Sequence, residues 1–140
     1  MLMTTIIHGE VSADVRGSLE HFADFDPTPF SRMYVVRAHS AGIVRGWHLS
    51  RTQTKAFFAF GGESSLASFS LISPSHPPKS PRIERIVLDE NKPVIIVVPP
   101  NTVHAIVSKT ANTAVMVLAS LPIEQAIEDE VRFPADQWEP

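Results

Sequence analysis

Ile, Val, Phe and Thr gather in short runs separated by Gly, Pro, Ser and Asp, a pattern of strands and turns rather than of long amphipathic helices. Strands are predicted near residues 4–8, 18–22, 32–38, 43–49, 55–60, 66–72, 83–88, 94–98, 105–108 and 114–119. In Lys55-Ala56-Phe57-Phe58-Ala59-Phe60 both alternating faces are apolar after the first residue. That strand is expected inside a double sheet, with Lys55 at its mouth. Val94-Ile95-Ile96-Val97-Val98 behaves alike and runs into the turn Pro99-Pro100-Asn101-Thr102, which hands the chain to Val103-His104. Loops are expected over residues 26–29, 61–65 and 73–81, where Gly, Pro, Ser and Asp set turn dihedrals. The one helix predicted spans residues 123–129 after Pro122, followed by a tail whose Phe133 and Trp138 can dock on the body.

The 12 prolines reinforce this picture, since each removes a backbone donor and disfavours helix. With 140 residues, 44% of them hydrophobic and 19% charged, one globular domain is expected. Residues 1–120 form its barrel and 121–140 a short helix and tail. A net charge of −3 excludes a general nucleic-acid binder, so any anion must be gripped locally. The absence of cysteine excludes disulfides, thiolate metal sites and Cys nucleophiles. The first eight residues lack the basic and long apolar regions of a signal peptide, and no apolar run reaches the ~20 residues of a spanning helix. A soluble, cytoplasmic protein with no membrane partner is expected.

Three polar islands stand out against the apolar background: Asp14-Val15-Arg16-Gly17, Arg45-Gly46-Trp47-His48 and Pro99-Pro100-Asn101-Thr102-Val103-His104. Each pairs a turn former with a group able to move a proton or bind an anion, and β scaffolds display sites at such strand ends. His48 is either a satisfied core histidine or a base for carbon next to a carbonyl. Trp47 offers an apolar wall or stacking face. Arg45 reads as a surface arginine or an anion clamp. Lys55 either snorkels from its strand or stabilises an enolate oxygen. His104 reads as a half-buried strand residue. Tyr34, the single tyrosine, is the only phenolic acid available, though sheet packing explains it equally. No histidine follows His48 at metal-ligand spacing, and after His48 no carboxylate occurs until Glu63, so no metal is expected.

In this order the islands, with Lys55 ahead of Gly62 and the strand Ala114-Val115-Met116-Val117-Leu118-Ala119-Ser120, resemble the sugar-nucleotide cupins. These comprise dTDP-4-dehydrorhamnose 3,5-epimerase and the dTDP-4-keto-6-deoxyglucose 3,4-ketoisomerases. The resemblance covers residues 14–120. It implies an all-β jelly roll, usually dimeric and without cofactor or metal, whose barrel mouth takes a nucleotide-linked 4-keto sugar. His48 then matches the base, Lys55 the lysine that steadies the enolate, Arg16 and Arg45 the arginines on the diphosphate, and His104 a histidine lining the pocket. Two positions depart from the pattern. The epimerases carry a tyrosine on the strand that here reads Val115-Met116-Val117-Leu118, and the ketoisomerases a second histidine where this chain has Ser50. The leading expectation is an isomerase that enolises its substrate with His48, with Tyr34 returning the proton. A sugar- or nucleotide-binding module without turnover is the alternative, and a metal-dependent cupin is disfavoured.

Overall fold

The computed structural model describes residues 3–140; Met1 and Leu2, part of the start expected to carry no signal peptide, lie outside the described residues. Two five-stranded antiparallel sheets face each other. In spatial order the first holds β1 (Thr5–His8), β9 (Val94–Val98), β6 (Lys55–Gly61), β11 (Thr113–Ala119) and β4 (Arg32–Ala38). The second holds β12 (Glu130–Arg132), β5 (Val44–Ser50), β10 (Thr102–Ser108), β7 (Glu63–Ser70) and β8 (Glu84–Asp89). Between β4 and β7 each strand crosses to the opposite sheet, giving a jelly roll in which sequence neighbours face one another across the core.

That core is the apolar inner face of both sheets. Phe57 and Ala59 of β6, Ile96 and Val98 of β9, and Val115 and Val117 of β11 meet Leu66 of β7, Leu88 of β8 and Ile106 of β10. The second sheet is buried on its outer face too. There Trp47, Leu49, Ala67, Phe69, Val103 and Ala105 pack against Trp138, with Val131 and Phe133 alongside. Trp138 donates from Nε1 to the Pro78 carbonyl at 2.8 Å, and its own carbonyl accepts from Trp47 Nε1 at 3.2 Å. Both indole N–H groups are thereby satisfied in a buried setting that would otherwise penalise them.

The all-β expectation and the helix, α1 (Ile123–Asp129), are met. Several boundaries differ. Residues 63–65, expected as loop, open β7, because Gly62 at φ +63° makes the turn alone. A Cβ on Gly62 would sit 2.5 Å from Thr110 Oγ1, so glycine also suits the space there. The hairpin of β2 (Glu10–Asp14) and β3 (Gly17–His21) stands apart from both sheets, and only its second strand is expected from the sequence. The segment after residue 120 is no mere appendage, since β12 pairs with β5 along Glu130↔Ser50, Val131↔Leu49 and Arg132↔His48. Among the described residues no helix is long and apolar enough to cross a membrane.

Candidate active site

A cavity of about 400 Å³ opens at one end of the barrel, within the range of small-molecule sites. His48, Lys55, Tyr34, Arg45 and His104, all singled out in the sequence, line it. Two others do not, and for Trp47 the expected stacking role is corrected. Trp47 is fully buried in the outer core and cannot stack on a ligand. Arg16 sits at the tip of the detached hairpin, exposed and ion-paired to Asp14, and lines no part of this chain's cavity.

Trp47 and His48 point to opposite faces by ordinary strand alternation, whereas Arg45 joins His48 on the inner face because β5 carries a bulge. His104 of β10 faces His48 and Ala105 faces Gly46, so Trp47 has no partner on β10. In a regular strand, residues three apart point to opposite faces. The extra residue lets Arg45 and His48 both line the cavity while Trp47 turns outward. Gly46 makes this possible: its φ is +150°, and a Cβ there would lie 2.5 Å from the Ala105 Cβ. His48 is therefore no satisfied core residue; it is partly exposed and faces the cavity.

The sequence reading missed Glu130. Alternation along β12 turns Glu130 and Arg132 toward the cavity and Val131 toward the outer core. Asp129 moors the strand: its carboxylate accepts from the Thr52 N–H at 2.9 Å, Thr52 Oγ1 at 2.7 Å and the Gln53 N–H at 3.0 Å. Glu130 Oε1 then lies 3.7 Å from His48 Nδ1 and 3.8 Å from Lys55 Nζ, while its Oε2 accepts from Arg132 Nε at 2.9 Å. The first two separations are too long for direct hydrogen bonds, but they set the carboxylate on the Nδ1 side of the His48 ring. The polar–apolar alternation of Glu130-Val131-Arg132-Phe133, closed by Pro134, is the one signal of this strand in the sequence and is too short to identify it alone.

Electrostatics suit proton transfer. Burial lowers the pKa of His48; Glu130 opposes the shift and Lys55, Arg132 and Arg45 reinforce it, so the ring is neutral at pH 7. His104 is buried with no hydrogen-bond partner on Nδ1, and burial, aided by the charges of Lys55 and His48, drives its pKa well below the histidine value. Its ring stands edge-on to His48 at 6.1 Å between centroids and to Phe57 at 5.5 Å. Lys55 is only 5% exposed. Burial lowers its pKa, countered by Glu130 and deepened by Arg32 and Arg132. Tyr34 is pushed up by burial, partly offset by Arg32, whose guanidinium lies 5.1 Å from the ring centroid. Its phenol therefore keeps its proton at neutral pH. Among the described residues no group of three or more His, Cys, Asp or Glu side chains is arranged to hold a metal ion.

Comparison with known proteins agrees with this architecture. No curated protein matches the chain by sequence. Among solved structures, the rmlC epimerase of Mycobacterium tuberculosis superposes with a TM-score of 0.75 at 20% identity, covering 93% of this chain and 68% of that one. ChmJ, a 3'-monoepimerase from Streptomyces bikiniensis in complex with dTDP-quinovose, gives 0.75 at 18% identity over 92% and 68%. QdtA, a sugar 3,4-ketoisomerase from Thermoanaerobacterium thermosaccharolyticum in complex with TDP, gives 0.71 at 19% over 96% and 90%. The fold is thus that of the epimerases and ketoisomerases to which the motifs pointed. The family model described as FdtA, WxcM-like, C-terminal matches residues 3–134, and the chain belongs to that family.

Proposed function

We propose that this protein is an isomerase or epimerase of a nucleotide-linked 4-keto-6-deoxy sugar of the dTDP type, working by enolisation. The observation that carries the reading is the meeting of His48, Lys55, Glu130 and Tyr34 in one cavity. His48 Nε2, neutral at pH 7, removes a proton from the carbon beside the ketone, and the C–H electrons pass to the ketone oxygen as an enolate. Lys55 faces that developing charge, Glu130 steadies the imidazolium, and a proton returned to carbon completes the isomerisation. These steps need neither metal nor redox cofactor. The solved structures of like fold that hold dTDP-quinovose and TDP support a nucleotide-linked ligand.

Neighbouring strands offer a candidate for each of the two departures noted in the sequence. On β11, the strand that lacks the epimerases' tyrosine, Val117 lies directly opposite Tyr34 of β4, and both residues line the cavity. That register supports Tyr34 as the proton-returning acid. Ser50 supplies no second imidazole, yet His104 of β10 lies opposite His48 and lines the same cavity. His104 and Arg45 are assigned to substrate binding.

We also take the protein to be a cytoplasmic homodimer. The β2–β3 hairpin pairs with neither sheet and exposes Val11, Val15 and Leu19, an apolar surface suited to a second copy. Arg16 contacts a phosphate only through such a partner.

The test is solvent exchange. Wild-type protein incubated in D2O with a dTDP-4-keto-6-deoxy sugar incorporates deuterium beside the ketone, and His48→Asn abolishes incorporation while retaining the wild-type fold by circular dichroism. Unchanged exchange removes His48 from the mechanism. Binding of the sugar nucleotide without exchange in the wild type makes the protein a binding module instead.

A further inference from the structure

The charge lining the cavity is unbalanced. Arg32, Arg45, Lys55 and Arg132 face a single carboxylate, Glu130, in a chain whose net charge is −3. Like charges gathered at one mouth cost stability unless an anion offsets them. Two of the four are already occupied or enclosed. Arg32 donates from Nε to the Leu121 carbonyl at 3.2 Å and from Nη2 to Gln53 Oε1 at 3.4 Å, and Lys55 is buried.

Arg45 and Arg132 remain. Arg45 is exposed and makes no side-chain hydrogen bond or ion pair among the described residues. Arg132, whose side chain is 75% exposed, uses only Nε, on Glu130. Its two terminal nitrogens have no protein partner among the described residues. Register brings these arginines to one side of the mouth: Arg132 lies directly opposite His48, and the bulge turns Arg45 to the same cavity.

We propose that Arg132 joins Arg45, the arginine the resemblance already sets on the diphosphate, in the anion clamp of the site, its terminal nitrogens taking the diphosphate while Nε keeps hold of Glu130. This deepens the function proposed above and rests on it. A planar guanidinium can donate along two edges at once, so Arg132 can bridge a phosphate and a carboxylate where a lysine presents a single point charge. The bound anion then fixes Arg132, which fixes Glu130, which faces His48 Nδ1. Arg132 is in this way both a binding residue for the phosphate and a positioning residue for the base. It comes from β12 of the same chain, and the clamp does not depend on Arg16.

Inorganic pyrophosphate and dTDP are the probes, titrated into the full chain by calorimetry at low salt. Arg132→Ala should weaken both by about ten-fold or more, as expected for loss of charge-assisted hydrogen bonds. Arg132→Lys should recover part of the affinity, and the exposed control Arg51→Ala should bind within about two-fold of the wild type. Pyrophosphate should also shift the His48 ring resonances of the wild type and leave those of Arg132→Ala unmoved. If Arg132→Ala binds both probes as the wild type does, the clamp is wrong while the sugar-nucleotide reading stands. If the wild type binds neither probe, both fail. If affinity falls but the His48 shift persists, the link from anion to base is wrong.

Discussion

A single methyl group on Gly46 tests the bulge on which the site is built. In Gly46→Ala the new Cβ would lie 2.5 Å from Ala105 Cβ, 2.7 Å from Ala105 Cα and 2.9 Å from the His104 carbonyl oxygen, where carbons ordinarily rest about 3.5–4.0 Å apart. Ala105 and His104 are themselves buried, so β5 and β10 would have to separate by about 1 Å. Overpacking of this kind costs about 1–3 kcal/mol, and holding an L residue at positive φ adds about 1–3 more. A loss of about 2–6 kcal/mol is a large part of the ~5–15 kcal/mol that holds a domain folded. Gly42→Ala separates the two causes: its φ is +86°, but nothing lies within 4 Å of a Cβ there. Urea unfolding followed by tryptophan fluorescence should place the Gly46→Ala midpoint well below that of Gly42→Ala. Its dTDP affinity should fall as well, because Arg45 and His48 no longer share one face. Equal midpoints for the two variants would show that the close approach of β5 to β10 does not constrain position 46.

Other outcomes follow from the same structure. Glu130→Gln removes the charge that holds the His48 pKa up against burial, so the acidic limb of the exchange pH profile should move to lower pH as exchange slows; an unmoved limb would uncouple the two residues. His104 has a folded pKa far below its unfolded value near 6.5, so the folded state resists its protonation. Its stabilising contribution is complete above that pH and is lost as pH falls through 6.5 toward the folded value. His104→Gln should therefore flatten the acid side of a stability–pH curve, and an unchanged slope would refute this. Trp138→Ala should cost about 3–5 kcal/mol in urea unfolding and should also slow exchange, since Trp138 packs on the outer core beside Val131. Loss of stability without loss of exchange would separate the tail from the site.

Most of the barrel was legible because its strands are short, apolar and punctuated by proline and glycine. His48, Lys55, Tyr34, Arg45 and His104 could be named because polar residues at the ends of apolar strands stand out. Local spacing fell short wherever geometry depends on a partner strand. Arg45 and His48 are three residues apart, which in a regular strand sets them on opposite faces, and only the register against β10 shows the bulge that brings both to the cavity. Arg16 sits in a clear motif, but its motif forms a hairpin apart from this chain's own cavity. Glu130 was hidden because a three-residue strand after a helix carries too little periodicity to be recognised alone. Its place is fixed by the mooring of Asp129 and by the side-by-side pairing with β5.

The location of β12 also bears on how the protein matures. Every other strand of the described residues precedes it in the chain, so the other nine strands of the two sheets emerge in a nascent polypeptide while its imidazole still lacks a carboxylate neighbour. The cavity's only carboxylate among the described residues arrives with this late stretch, together with the indole that seals the outer layer. The tail therefore carries two things at once, the cavity's carboxylate and the seal of the outer core, so that removing residues 122–140 strips both together.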